Sequence, residues 1–146
     1  MEKIEYRNIY ENEERHFFYV STHRLVINLI KRFTKGRRLN ILDAGCGTGG
    51  LAEKLAAFGK VSAIDASPEA IRFTKKRGIR AKLAGIEKIP FPEKTFDVVT
   101  SIDVIYHKQV KDDVLALKEI RRVLKPGGVL VLRVPASRYL MSAHDR

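Results

Sequence analysis

Tryptophan is absent from this chain, and cysteine and glutamine occur once each, at Cys46 and Gln109. A lone cysteine excludes an intrachain disulfide and a cysteine cluster for zinc, and leaves Cys46 to act as a small packed residue. A single glutamine beside abundant lysine and arginine fits the composition of proteins from hot environments. No apolar run approaches the roughly 20 residues that span a bilayer. The first five residues, Met1 to Glu5, are charged and lack the apolar stretch of a secretory signal. Together these absences predict a cytoplasmic protein with no membrane span.

Acidic residues are scarce as well: 17 against 28 Lys and Arg, a net charge of +11 over 146 residues. The excess lies in Lys31-Arg32, Lys35, Arg37-Arg38, Lys75-Lys76-Arg77, Arg80, Lys82 and Arg121-Arg122. Cations at helix carboxyl ends complement the macrodipole, which predicts a structural role for Lys75 to Arg77 and for Arg121 to Lys125. A basic surface also attracts phosphates regardless of sequence, so a nucleic-acid partner remains the less favoured alternative. The length suits one domain with a sizeable core.

What is present is organised around Asn40-Ile-Leu-Asp-Ala-Gly-Cys-Gly-Thr-Gly-Gly50, an apolar strand that ends in a carboxylate, turns through glycines and opens a helix. Gly45, Gly47 and Gly49 allow close approach of a ligand to the main chain, and the first amides of the helix point into the same space. The literal match to G-x-G-x-x-G is weak evidence for a dinucleotide. Asp43 argues against one, because it would repel a pyrophosphate and attract a ligand carrying an ammonium and a sulfonium. S-adenosylmethionine is such a ligand.

Around the turn, strands alternate with helices. Apolar spacing predicts a helix over residues 10–33, with Phe17, Val20, Ile27 and Ile30 on one face, serving either as a helix across the sheet edge or as an aromatic lid. Strands are expected at 39–42, 61–64, 79–84, 96–102 and 129–134, the third at an edge and the fifth covered on both faces. Thr48 is expected to cap the helix after the turn. Ser67-Pro68-Glu69 signals a second helix with its cap, and Gly78 ends it. A last helix is expected over residues 110–124, burying Val114, Leu117, Ile120 and Leu124. This order implies an α/β fold, a Rossmann-like open parallel sheet with helices on both faces, with a leader over 1–35 and a core over 36–146.

Ligands of such sheets lie beyond the carboxyl ends of the strands. There the chain places Asp43, Asp65, Gly85, Glu87, Ser101, Asp103 and His107. Asp65 stands about 20 residues beyond the turn, the offset at which an acid accepts hydrogen bonds from ribose hydroxyls.

Asp43-Ala-Gly-Cys-Gly-Thr-Gly49 resembles the first motif of class I S-adenosylmethionine-dependent methyltransferases. Ile86-Glu-Lys-Ile-Pro-Phe91, Phe96-Asp97-Val98, Asp103-Val-Ile-Tyr-His107 and Arg122-Val-Leu-Lys-Pro-Gly-Gly128 are similar, in order and spacing, to later blocks of the methyltransferase type 11 group. Glu14-Arg-His-Phe-Phe-Tyr19 with Arg24 looks like the leader of one bacterial and archaeal group, except that phenylalanines stand where tryptophans are usual.

The resemblance implies that Asp43 and the backbone of Gly45, Cys46 and Gly47 hold the methionine end of S-adenosylmethionine, with Asp65 on the ribose and Ala66 and Ile86 at the adenine. Glu87 and Ser101 complete the expected cofactor set. Relatives often carry an aspartate where Gly85 stands, so adenine recognition is expected to rest on Ile86 and Glu87. His107 is the candidate base, or else orders its loop beside Tyr106.

The expected acceptor is a small molecule; the alternatives are a nucleic-acid methyltransferase and a non-catalytic cofactor-binding module. Two further strands usually follow the fifth in this group. Their absence here predicts an unpaired fifth strand, available to a second copy or a partner.

Overall fold

The computed structural model describes residues 3–35 and 38–136. Its centre is a five-stranded, all-parallel sheet in the order β3-β2-β1-β4-β5. The strands are β1 (Leu39–Ala44), β2 (Gly59–Asp65), β3 (Arg80–Leu83), β4 (Phe96–Ile102) and β5 (Leu124–Arg133). β1 pairs with β2 on one side and with β4 on the other, so the strand order reverses at β1. The glycine turn therefore leaves the sheet at the switch point, where an open sheet splays and makes room for a ligand.

The helices are α1 (Lys3–Asn12), α2 (Phe17–Phe33), α3 (Gly50–Leu55), α4 (Pro68–Lys76) and α5 (Asp113–Val123). On one face of the sheet, Val26 and Ile30 of α2 and Leu51 and Leu55 of α3 pack against Ile41 and Val98. On the other, Ala116, Ile120 and Val123 of α5 pack with Leu42, Ile64 and Val99. Ser67 caps α4 through its hydroxyl, with Pro68 at the first helical position, as the sequence signals.

Four local expectations are corrected. The predicted helix over 10–33 is two helices broken at 13–16, and α2 buries Thr22, His23, Val26 and Ile30 while Phe17 is 76% exposed. A helix that faces both a sheet and a cavity buries polar residues on the cavity side, and this shifts the apparent hydrophobic phase. Gly49 rather than Thr48 sits at the amino cap of α3, and Thr48 turns away to the leader. On α5 the buried residues are Ala116, Ile120 and Val123, whereas Val114 and Leu117 are exposed. β5 is a sheet edge among the described residues, as expected, but Leu132 and Val134 are exposed where cover on both faces was expected.

Arg77 is also not the exposed helix-end cation expected. Its side chain is 7% exposed and its Nη2 donates to Glu13 Oε1 at 2.6 Å. Its Nε donates to the carbonyl of Thr48, and its guanidinium lies 4.5 Å from the Tyr10 ring centre. The Thr48 hydroxyl completes the knot by donating to Glu13 Oε1 at 2.7 Å. One buried ion pair thus fastens the α1–α2 junction, the glycine turn and the end of α4 to one another.

Removing one partner of a buried pair strands the other charge and costs about 3–5 kcal/mol, whereas removing both costs much less. Arg77→Met should lose about that much in urea melts and Glu13→Gln less, because Arg77 Nη1 keeps Glu53 Oε2 at 2.6 Å, and the double variant should recover part of the Arg77→Met loss. Strictly additive losses in this cycle would mean that the two side chains are not coupled.

Candidate functional site

A cavity of about 800 Å³ opens at the carboxyl ends of β1, β2 and β4, closed on one side by α1 and the first turns of α2. At its floor Asp43 ends β1 and is 2% exposed. Thr100 of β4 donates to Asp43 Oδ1 at 2.8 Å. Burial pushes the Asp43 carboxyl up to about 7 against that bond, and the neighbouring charges of Asp65 and Glu13 push the same way. A carboxylate so placed is short of a cation.

Next to it the turn is braced by Asp65. Its Oδ2 accepts from the Gly47 amide and its Oδ1 from the Ser67 amide, each at 2.9 Å. Burial raises this carboxyl too, opposed by those two amides. Each oxygen keeps a second lone pair, so Asp65 can still accept two hydrogen bonds from a vicinal diol. The turn itself requires glycine at 45, where φ is +88° and a Cβ would overlap the Val104 side chain. Gly50 is required for a different reason: a Cβ there would strike the Glu13 carboxylate.

The cavity brings together most of the residues singled out in the sequence. Asp43, Gly45, Cys46, Gly47, Asp65 and Ala66 line one half. Ile86, Glu87 and His107 line the other. Ser101 does not line it: the side chain is fully buried and its hydroxyl has no partner among the described residues. Cys46 is packed, with Sγ 3.3 Å from Thr74 Oγ1, and burial pushes its thiol well up.

Glu87 has a second task, since Oε1 accepts from the amides of Lys111 and Asp112 at 3.1 and 2.8 Å and so holds the loop ahead of α5. Gly85 has no atom within 4 Å of where a Cβ would stand. His107 is half-buried; its amide donates to the Val104 carbonyl, its carbonyl accepts from the Val110 amide, and Nδ1 is buried without a partner.

Several cavity residues escape the sequence reading. Tyr6 and Glu13 of the leader reach the wall because α1 exists, which the spacing did not indicate. His23 also lines the cavity, buried, with burial lowering it to about 4 and Lys54 and Arg77 adding to the effect, so it is neutral at ordinary pH. His16 is exposed and plays no part in the wall. Arg133 at the end of β5 donates to the Thr22 hydroxyl, pairs with Asp103 at 3.3 Å and lies 4.6 Å from the Phe18 ring centre, tying the far wall to α2. Phe18 and Tyr19 therefore serve as wall, and α2 both lines the cavity and packs over the sheet.

Comparison with known proteins agrees with this architecture. The chain is 34% identical over 101 residues to a sterol 24-C-methyltransferase of Gibberella zeae, covering 62% of this chain and 26% of that protein. It is 32% identical over 113 residues to the tRNA U34 carboxymethyltransferase of Nautilia profundicola, covering 72% of this chain and 37% of that one. The crystal structure of the N-methyltransferase NodS from Bradyrhizobium japonicum, solved with S-adenosylhomocysteine, superposes with a TM-score of 0.69 at 25% identity, over 81% of this chain and 62% of that one. The chain thus spans well under half the length of these two curated relatives. Residues 42–132 match the family model described as a methyltransferase domain, and on that match the chain belongs to this family.

Proposed function

We propose that this chain binds S-adenosylmethionine and directs methyl transfer to a small-molecule acceptor. The observation that carries the reading is the pairing of two buried carboxylates across a glycine turn: Asp43 without a cation, and Asp65 with two free acceptor positions. S-adenosylmethionine meets both needs, with an ammonium for the first and a ribose diol for the second, and when bound it supplies a methyl group on a sulfonium. The backbone of Gly45 to Gly47 would lie along the methionine end, and Ala66 and Ile86 would flank the adenine, with open space at Gly85.

Transfer from a sulfonium needs alignment and a dry pocket more than acid or base help. Phe18 and Tyr19 supply the water-excluding wall. His107 lines the cavity and would take the proton of an acceptor that arrives protonated. A small acceptor is favoured because, among the described residues, the cavity wall carries Glu13, Asp43, Asp65, Glu87 and Asp103 against Arg133 as its one Lys or Arg, a balance that disfavours a polyanion. The test is label transfer from methyl-labelled cofactor offered to a small-molecule extract and, separately, to RNA. Label found only in RNA would overturn the small-molecule reading.

Binding is checked by calorimetry. S-adenosylhomocysteine should bind and NAD should not. Asp65→Ala removes two hydrogen bonds to a charged acceptor, each worth on the order of 1.5–3 kcal/mol, so affinity should fall at least tenfold.

The pH dependence follows from Asp43. An ammonium binds the ionised carboxylate, so affinity should be level above pH 7 and fall about tenfold per unit below it, with release of about one proton on binding near pH 6. In the free protein the sign is opposite. The folded pKa is raised above the unfolded value, so this group favours the fold at low pH and that contribution is lost as pH rises through about 7. Asp43→Asn should therefore melt higher than the parent at pH 8 while losing cofactor. A parent protein whose affinity is unchanged from pH 8 to pH 5.5 would remove Asp43 from the site.

A further inference from the structure

At the amino ends of the strands, opposite the cofactor cavity, the molecule has a second concave surface. A groove of about 520 Å³ is bounded by the starts of β1 and β2, by β3 and by the loop ahead of β4. Its cations are Lys60, Lys75, Arg80 and Lys82, and no carboxylate lines it. Lys60, Lys75 and Arg80 make no ion pair among the described residues, and Lys82 lies over the Phe91 ring at 4.4 Å and reaches the Pro90 carbonyl at 3.4 Å.

The groove exists because of how the chain crosses from β3 to β4. Parallel strands are usually joined through a helix that covers the sheet. Here residues 84–95 form an extended loop with prolines at 90 and 92, and no helix covers the start of β2 and β3. A sheet face left bare in this way would ordinarily be apolar and would aggregate. Instead the sequence places Asn40, Lys60, Ser62 and Arg80 there, with Asn40 beside Lys60 and Ser62 beside Arg80 in the register.

We infer that this groove is a docking site for the phosphodiester backbone of a single-stranded nucleic acid, separate from the cofactor cavity. Lys60, Lys75 and Arg80, unpaired among the described residues, together with Lys82 give the groove a positive potential, which is what a flexible polyanion follows. The polar floor of Asn40, Ser62 and Thr95 offers hydrogen bonds to sugars or base edges with no demand on their sequence. A membrane surface fits poorly, because the cations line a hollow and not a protruding apolar face. The groove acts in anchoring and not in chemistry, since its lining shares no residue with that of the cavity that holds Asp43 and Asp65.

The test is fluorescence anisotropy with labelled oligouridine and oligothymidine of about a dozen nucleotides, titrated from low to near-physiological salt. Both should bind, with affinity falling steeply as salt rises. Lys60→Glu with Arg80→Glu should weaken binding at least tenfold at low salt and flatten the log-log salt slope by about 1.4 or more, at about 0.7 for each phosphate that is no longer neutralised. Arg15→Glu with Arg24→Glu makes the same change in net charge on exposed leader positions and should weaken binding less than threefold. Cofactor affinity and melting behaviour of the groove variant should match the parent, because both side chains are exposed. Equal losses in the two charge-reversed variants would show that net charge alone is read and would overturn the proposal. So would absence of binding at low salt, or displacement of the oligonucleotide by polyglutamate or anionic vesicles as readily as by unlabelled RNA.

Discussion

The contact on which the rest of the structure depends is the buried pair Arg77–Glu13, closed by the Thr48 hydroxyl. It joins three segments far apart in sequence: the break between α1 and α2, the second half of the glycine turn, and the residue that ends α4. Such a pair need not add stability, because the desolvation of two ions offsets their attraction. What it fixes is position. With Glu13 against Gly50 and Thr48, α1 can lie only across the mouth of the cavity, where Tyr6 and Tyr10 pack on Ala70 and Phe73 of α4. The leader is therefore held by the very turn it covers.

Charge is sorted along the strand direction. The five carboxylates of the cavity wall stand at the carboxyl ends, and Lys60 and Arg80 stand at the starts of β2 and β3, in a groove with no carboxylate in its lining. A parallel sheet makes such sorting possible, since all strand starts share one end and all strand exits the other. A cationic small ligand and a polyanion would thus be drawn to opposite ends of one molecule. The net charge of +11 alone cannot reveal this, because it sums the two ends.

The parallel sheet and the identity of the turn were legible from local signals: apolar runs of strand length, Ser67-Pro68, and glycines after Asp43. The leader was not. Its cavity-facing residues, Glu13, Thr22 and His23, are polar and buried, so they read as solvent-facing in any hydrophobic pattern. Arg77 misled in the same way, because a cation at a helix end has a local explanation that conceals a distant partner. For α5 the spacing was sound but the phase was not: Ala116 occupies the tight central position where a larger residue was expected. In each case the missing information was a tertiary contact with a long sequence separation. Asp65 shows the converse. Its offset from the turn marked it as a ligand residue, but its bonds to Gly47 and Ser67 make it equally a brace of the backbone.

That double duty explains how the site is ready before ligand arrives. Glu13, Asp43 and Asp65 surround one glycine turn, and burial raises all three carboxyls. Only Glu13 has a buried guanidinium to answer it. The turn is rigid, with its amides to Ile64 and Asp65 already made, so little ordering remains to be done on binding. The unfavourable part of the arrangement is electrostatic: two further carboxylates are held close together in a poorly solvated cavity, each opposing ionisation of the other. A ligand that brings positive charge to Asp43 and hydroxyl donors to Asp65 relieves that opposition in a geometry fixed in advance. A pyrophosphate would worsen it. The same G-x-G-x-x-G spacing can serve either ligand class, and under the proposed function the selection between them falls to the carboxylates rather than to the glycines.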